Sequence, residues 1–214
     1  MLKLLDMFCG AGGAAMGYHR AGFTDIVGID IRPQPRYPFR FIQADALAPP
    51  VRLEDFDAIH ASPPCQAYSQ SALTWRNQGK VYPDLVAATR ALLESSGRPW
   101  VIENVPGAPV FANLTICGCQ VGLDLRRKRL FELSDRDAFA LSPPCRHEYP
   151  VVSVVGKGTP SWVRKVLGYN PTIQQWRDAM GIHWMRREEL SQAIPPAYTE
   201  LIGHGLRARL ESSC

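Results

Sequence analysis

Leu2-Lys3-Leu4-Leu5-Asp6-Met7-Phe8-Cys9-Gly10-Ala11-Gly12-Gly13-Ala14-Ala15 is the stretch that decides the fold. Its first six residues read as a strand. Glycines at 10, 12 and 13 then let the backbone turn sharply and approach a ligand closely before a helix expected over residues 13–21. The N-terminus of such a helix presents unpaired N–H groups and a positive dipole end to an anionic group. Asp30 follows Gly10 by 20 residues and closes a second expected strand, 26–29. A carboxylate there can accept hydrogen bonds from both hydroxyls of a ribose. Asp45 follows a third expected strand, 39–43, and suits an adenine amino group. Taken alone, the pattern fits NAD, FAD and S-adenosylmethionine equally.

Outward from this unit, short apolar runs alternate with helix-like stretches as far as residue 133. Strands are expected at 58–61, 101–102 and 130–133 and a helix at 85–94, the pattern of a mostly parallel α/β sheet. The texture changes over 134–170, where prolines and glycines interrupt the chain and 151–155 is the clear strand. Residues 150–170 carry Lys157, Arg164 and Lys165 and no acid. Helical pattern returns at 173–180, around 187–193 and from Pro196 to about residue 210, with Pro196 a favourable first-turn residue. Three regions are therefore expected: a core over 1–133, a small insertion over 134–170, and returning helices over 171–214.

The composition agrees with one globular unit. Of 214 residues, 46% are hydrophobic and 21% charged, which excludes disordered, collagen-like and coiled-coil chains. Lys and Arg exceed Asp and Glu by 24 to 20, a net +4 that permits a polyanionic partner without requiring one. No run approaches the roughly 18 to 20 apolar residues of a membrane span, and Asp6 breaks an N-terminal run too short for a signal peptide. Six sparse cysteines do not make a disulfide framework, so a reducing, cytoplasmic setting is expected.

Three further segments carry chemistry. Asp57-Ala58-Ile59-His60-Ala61-Ser62-Pro63-Pro64-Cys65-Gln66-Ala67-Tyr68-Ser69 places a cysteine just past a strand, on a loop stiffened by two prolines. A rigidly held thiolate is a strong nucleophile, and the acid-free surroundings with Arg76 and Lys80 favour its ionisation. Trp100-Val101-Ile102 runs into Glu103, a carboxyl at the inner end of an apolar strand, where the protonated form is favoured and can donate to a ring nitrogen. In Arg126-Arg127-Lys128-Arg129, strand alternation sends Arg127 and Arg129 to one face and Lys128 to the other. Two arginines on one face can hold a base carbonyl and a phosphate.

These segments, in this order, resemble the DNA (cytosine-5) methyltransferases, nearest to the compact phage-type members. The resemblance rests on Asp6 to Gly13, Asp30, Asp45, Pro64-Cys65-Gln66, Glu103-Asn104-Val105, Arg127-Lys128-Arg129 and Gln192-Ala193-Ile194-Pro195-Pro196. It implies a Rossmann-like S-adenosylmethionine-dependent fold with a very small recognition insertion. It further implies that Phe8, Gly10, Gly12, Gly13, Asp30, Asp45, Ala46, Pro63 and Gln192 hold the cofactor. Phe8 would pack on its adenine, Asp30 would take its ribose, and Asp45 its amino group. By the same resemblance Cys65 adds to C6 of cytosine, Glu103 steadies N3, and Arg129, with Arg127 behind it, holds the base carbonyl. DNA is the implied partner of a monomer, with a cognate restriction enzyme as a companion. RNA cytosine, a free pyrimidine nucleotide and a non-catalytic binding module are the alternatives. The chain departs from the family at Leu125, where a Gln is usual, and at Ser191-Gln192, where Gly-Asn is usual. Only residues 134–177 are available for target recognition, so short or relaxed specificity is expected.

Cys117-Gly118-Cys119 and Cys145-Arg146-His147 form two pairs of potential metal ligands, but one-residue spacing in both arms is unusual for zinc. Structural thiols, and no metal, are the expectation. Cys9 is expected to be packed rather than reactive, and Cys214 to be an exposed thiol. Trp162 could stack on a base, whereas Trp176 and Trp184 lie in helical patterns and are expected in the core.

Overall fold

The computed structural model describes residues 1–69, 73–134, 144–146, 152–154, 164–165 and 168–212. Strand β1 (Leu2–Met7) leads through the glycine turn into α1 (Gly13–Arg20). Strands β2 (Phe23–Asp30), β3 (Arg40–Gln43) and β4 (Ala58–Ala61) follow, with a 3-10 turn at Leu53–Asp55. Next come α2 (Leu73–Asn77), α3 (Val86–Ser95), β5 (Trp100–Asn104), β6 (Leu114–Ile116), a second 3-10 turn (Gly118–Val121) and β7 (Arg129–Leu133). Helices α4 (Ile173–Met180), α5 (Arg187–Gln192) and α6 (Pro196–Ser212) complete the described chain.

The strands form one sheet in the order β3-β2-β1-β4-β5-β7-β6. β1 to β5 run parallel, and β7 lies antiparallel to both its neighbours. Alternation along strands covered on both faces explains why the central strands are mostly apolar. Leu4, Ile26, Ala58 and Val101 enter the core on one face, and Leu5, Val27, Ile59 and Ile102 enter it on the other. Tyr18 of α1 and Tyr198, Ile202 and Leu206 of α6 cover the first face. Leu93 of α3, with Leu53 and Phe56, covers the second.

Helices α1 and α6 cross closely enough that a Cβ at Gly17 would collide with the Pro196 carbonyl and Thr199, and Thr199 Oγ1 donates to the Ala14 carbonyl at 2.8 Å. A third cluster joins Trp176 and Met180 of α4, Leu190 of α5 and Leu125 to Ala11 of the glycine turn. Strand order reverses beside β1, whose neighbours are β2 and β4. Such a reversal leaves a crevice at the carboxyl ends of the strands. The turn after β1 and the cysteine loop after β4 both open there. No helix among the described residues is long and apolar enough to cross a membrane.

Some boundaries differ from the sequence reading. β2 begins at Phe23, three residues before its apolar run, because pairing with β1 carries the strand back to Leu2. α6 continues to Ser212. β6 and α2 were not expected from periodicity. Trp176 is fully buried in α4, but Trp184 lies in the connection to α5 and donates its indole N–H to the Ala11 carbonyl at 2.9 Å. Of the strand expected at 151–155, Val152 pairs in a single parallel bridge with Leu125; residues 151 and 155 lie outside the described residues, as do Trp162, His147 and Cys214.

Candidate active site

The crevice holds a cavity of about 500 Å³, and its wall is built from the strand ends upward. Phe8 follows β1 with φ 55°, a left-handed conformation that costs a bulky residue of order 1–2 kcal/mol. That conformation turns the chain toward Gly10, also left-handed at φ 49°, and Phe8 lines the cavity. The Cys9 N–H bonds the Ile29 carbonyl of β2, and the Gly12 N–H bonds the Cys9 carbonyl, closing the turn before α1. Gly12 sits against Tyr37 and Pro38, where a Cβ would not fit, and caps α1 rather than lining the cavity. Gly10, Gly13 and Asp30 do line it. Asp30 accepts from the Gly10 N–H at 3.0 Å and the Arg32 N–H at 2.9 Å, so its carboxylate is aimed before any ligand arrives.

Asp45 is exposed, accepts from the Leu47 N–H at 2.9 Å, and stands off the cavity lining; Ala46 beside it is buried in the core. Gln192 and Pro63 both line the cavity. Arg36 in the β2–β3 connection grips Glu189 of α5 through Nε at 2.7 Å and through a second guanidinium nitrogen, joining two sides of the cavity mouth.

Cys65 and Glu103 line the same cavity as the glycine turn. The cysteine loop is held on three sides. Asn104 of β5 donates its side-chain amide to the Pro63 carbonyl at 3.0 Å, and Arg76 of α2 donates to the carbonyls of Gln66 and Ser69, both at 2.8 Å. The Ser69 N–H returns to the Cys65 carbonyl at 2.8 Å. Arg76 is thus a brace for the loop and not a counter-ion for the thiol. The expectation of a favoured thiolate is corrected accordingly. Burial and the Glu103 charge push the Cys65 thiol above its ordinary range, and Arg129 and Arg127 only partly oppose them. Cys9, more deeply buried, is pushed far higher by burial and by the charges of Asp6 and Asp30.

Glu103 is 6% exposed. Burial raises its carboxyl, while Arg129, Arg127 and a hydrogen bond from Ser62 act to lower it. Arg129 Nε lies 2.9 Å from Glu103 Oε1 and also lines the cavity. The expected alternation holds along the arginine run, with Arg127 buried, Lys128 exposed and Arg129 between. Arg127 is off the cavity wall. It donates to the carbonyls of Val154 at 2.9 Å and Ser191 at 2.8 Å, and its own carbonyl accepts from Tyr198 Oη at 2.6 Å. It therefore ties Val154, the end of α5 and Tyr198 of α6 together.

A buried polar chain behind Glu103 was not read from the sequence. Tyr18 Oη lies 3.0 Å from His60 Nδ1, His60 Nε2 lies 2.8 Å from Ser62 Oγ, and Ser62 bonds Glu103. Burial pushes the His60 pKa down to about 3, so the ring is neutral, and burial holds the Tyr18 phenol protonated. The arrangement that satisfies each group runs one way: Tyr18 donates to Nδ1, Nε2–H donates to Ser62, and Ser62 donates to the Glu103 carboxylate. Asp6 is the other buried carboxyl on the cavity wall. Its Oδ2 accepts from Tyr37 Oη at 3.3 Å, and burial raises its pKa well above the usual range although Tyr37 and the Ala15 backbone N–H act to lower it.

Residues 2–110 match the model of the C-5 cytosine-specific DNA methylase family. The chain is 23% identical over 180 residues to the type II methyltransferase M.AgeI of Thalassovita gelatinovora, covering 67% of this chain and 42% of that protein. It is 28% identical over 124 residues to the type II methyltransferase M.AquIA of a Picosynechococcus strain, covering 49% of each. In each case the alignment spans about half the relative's length or less. The fold is similar to that of the methyltransferase EhMeth of Entamoeba histolytica, with a TM-score of 0.63 over 98% of this chain and 99% of that one at 12% identity.

Proposed function

The chain belongs to the C-5 cytosine-specific DNA methylase family, and on that premise we propose that it transfers a methyl group from S-adenosylmethionine to C5 of cytosine in DNA. The observation that carries this reading is that Cys65, Glu103 and Arg129 share one cavity with the glycine turn and Asp30. The cavity wall fits the cofactor chemically. Asp30 presents a fixed carboxylate to a ribose, and Phe8 offers a ring to an adenine. When bound, S-adenosylmethionine supplies an electrophilic methyl group carried on a sulfonium.

Cytosine C5 is too weak a nucleophile to take that methyl unaided. The Cys65 thiolate adds to C6, and Glu103 as a neutral acid donates to N3 while the ring electron pair moves toward C5. C5 takes the methyl group, its proton leaves to a base, and the C6–S bond breaks to restore the double bond and the thiolate. Arg129 holds the base carbonyl and keeps Glu103 oriented through their 2.9 Å contact. A duplex must release the base into the cavity, at a cost of a few kcal/mol.

The test offers labelled cofactor with duplex DNA, tRNA and dCMP in parallel to the wild-type chain and to Cys65→Ser. Label at C5 of DNA cytosine is expected, with the variant slower by at least about 10³-fold, as when other covalent nucleophiles are removed. A duplex carrying 5-fluorocytosine should trap the protein covalently. Label confined to tRNA or to dCMP would overturn DNA as the substrate. Full activity in Cys65→Ser would overturn the covalent step.

A further inference from the structure

Away from the cavity, three thiols that methyl transfer does not use come together at the edge of the sheet. Cys117 and Cys119 flank the start of the 3-10 turn Gly118–Val121 that leaves edge strand β6. Cys145 comes from the stretch beyond β7, 26 residues past Cys119. All three Sγ atoms lie within 4.8 Å of one another, and those of Cys119 and Cys145 are 3.4 Å apart. A disulfide requires about 2.05 Å, far shorter than that contact. Sulfurs held about 2.3 Å from a tetrahedral zinc ion stand roughly 3.8 Å from one another, a separation this cluster reaches with small side-chain adjustments.

The backbone is shaped for the convergence. Gly118 lies so close to the Leu125 carbonyl that no Cβ would fit, and Gly122 ends the turn in the left-handed region at φ 73°. The Cys117 N–H is bonded to Gln120 Oε1 at 2.6 Å, which fixes the loop carrying the first two sulfurs. The thiols also differ in depth: Cys117 is buried, Cys119 half-buried and Cys145 exposed, leaving one side of the cluster open for an ion to enter. One-residue spacing in each pair argues against a metal only while the pairs are considered separately. The fold joins three of these sulfurs into one site.

We propose that Cys117, Cys119 and Cys145 bind a structural zinc ion as thiolates, with the fourth position filled by a further ligand. Thiolates select soft ions, and zinc is the one that asks only for a tetrahedron of them. Each thiol that ligates releases its proton to solvent, so loading liberates up to three protons per ion. The ion pins the stretch beyond β7 to the edge of the sheet. That places it beside the Leu125–Val152 bridge, and Arg127, two residues after Leu125, grips the Val154 carbonyl. The metal would hold Cys145 against the 3-10 turn, close to Leu125 and so to the Val152 and Val154 contacts that flank Arg127.

The test measures metal by mass spectrometry in the full chain purified under reduction without chelator. One zinc per chain is expected, falling at least tenfold in Cys119→Ser and in Cys145→Ser and staying unchanged in Cys214→Ser. No metal, stoichiometric iron or copper, zinc retained by both cluster variants, or a Cys119–Cys145 disulfide in its place would each overturn the proposal. Should the variants fail to fold, the wild-type chain stripped by chelator and titrated with cobalt decides the matter. A thiolate-to-cobalt charge-transfer band that saturates at one equivalent supports the site, and its absence overturns it.

Discussion

His60→Gln should remove a stability that depends on pH in a defined window. The ring is fully buried between Tyr18 Oη and Ser62 Oγ, at 3.0 and 2.8 Å. Burial pushes its pKa from 6.5 to about 3. Within that interval the unfolded chain binds a proton that the folded chain refuses, so stability is complete above pH 6.5 and is lost as pH falls toward 3. One proton corresponds to about 1.4 kcal/mol per pH unit, and the loss between pH 7.5 and 5.0 comes to about 2 kcal/mol. Glu103 and Asp6 have raised carboxyls and act with the opposite sign, since their contribution is present at low pH and lost as pH rises through their folded values. Subtracting the variant from the wild type isolates the ring, because glutamine cannot take up the proton. The assay is urea unfolding of both proteins at pH 7.5, 6.0 and 5.0. The variant should be less stable at pH 7.5 by about 1–3 kcal/mol, for a buried hydrogen bond disturbed, and the gap should close by about 2 kcal/mol at pH 5.0. A gap independent of pH would show that the ring is not held neutral, and the one-way chain from Tyr18 to Glu103 would then be wrong.

Arg129→Ala leaves Glu103 buried without its 2.9 Å partner, which should cost about 3–5 kcal/mol at pH 7.5. With burial then unopposed by Arg129, the Glu103 carboxyl rises further, so the cost should shrink at pH 5.5; an equal loss at both values, in the same unfolding assay, refutes the pairing. Asp30→Asn keeps an acceptor for one of the two backbone N–H groups but loses the charge that is proposed to take a ribose. Calorimetric titration with S-adenosylmethionine should show affinity lower by roughly 10–100-fold, the weight of a hydrogen bond to a charged group, and a change under threefold would remove Asp30 from the binding site.

The strands of the core were legible because a sheet covered on both faces makes its centre apolar throughout, and β1, β4 and β5 carry that signature in every residue but Lys3, Asp6, His60, Glu103 and Asn104. Three of those exceptions, Asp6, His60 and Glu103, are buried titratable groups on or behind the cavity wall. His60 in a four-residue strand was the one available signal for the polar chain, since a buried ring nitrogen requires a partner. Its partners lie on α1, on the loop after β4 and on β5, and no periodicity relates them. β6 escaped notice because three residues are too few to alternate. The thiol's environment was misread for a related reason. Arg76 is near Cys65 along the chain, yet its guanidinium is taken up by two carbonyls, and the cations that act on the sulfur come from the distant arginine run.

That correction changes how Cys65, as the proposed nucleophile, must be activated. Burial and, after it, the Glu103 charge raise the Cys65 thiol, so an ionised carboxylate and a thiolate in this cavity oppose each other. Once Glu103 is neutral, burial alone still opposes the thiolate against Arg129 and Arg127, and its ionisation becomes easier by the amount the carboxylate had cost. The ionisation of the thiol is therefore coupled to that of the carboxyl. Of their combined states, the one with a neutral acid and a charged sulfur is the state that the proposed addition to C6 requires.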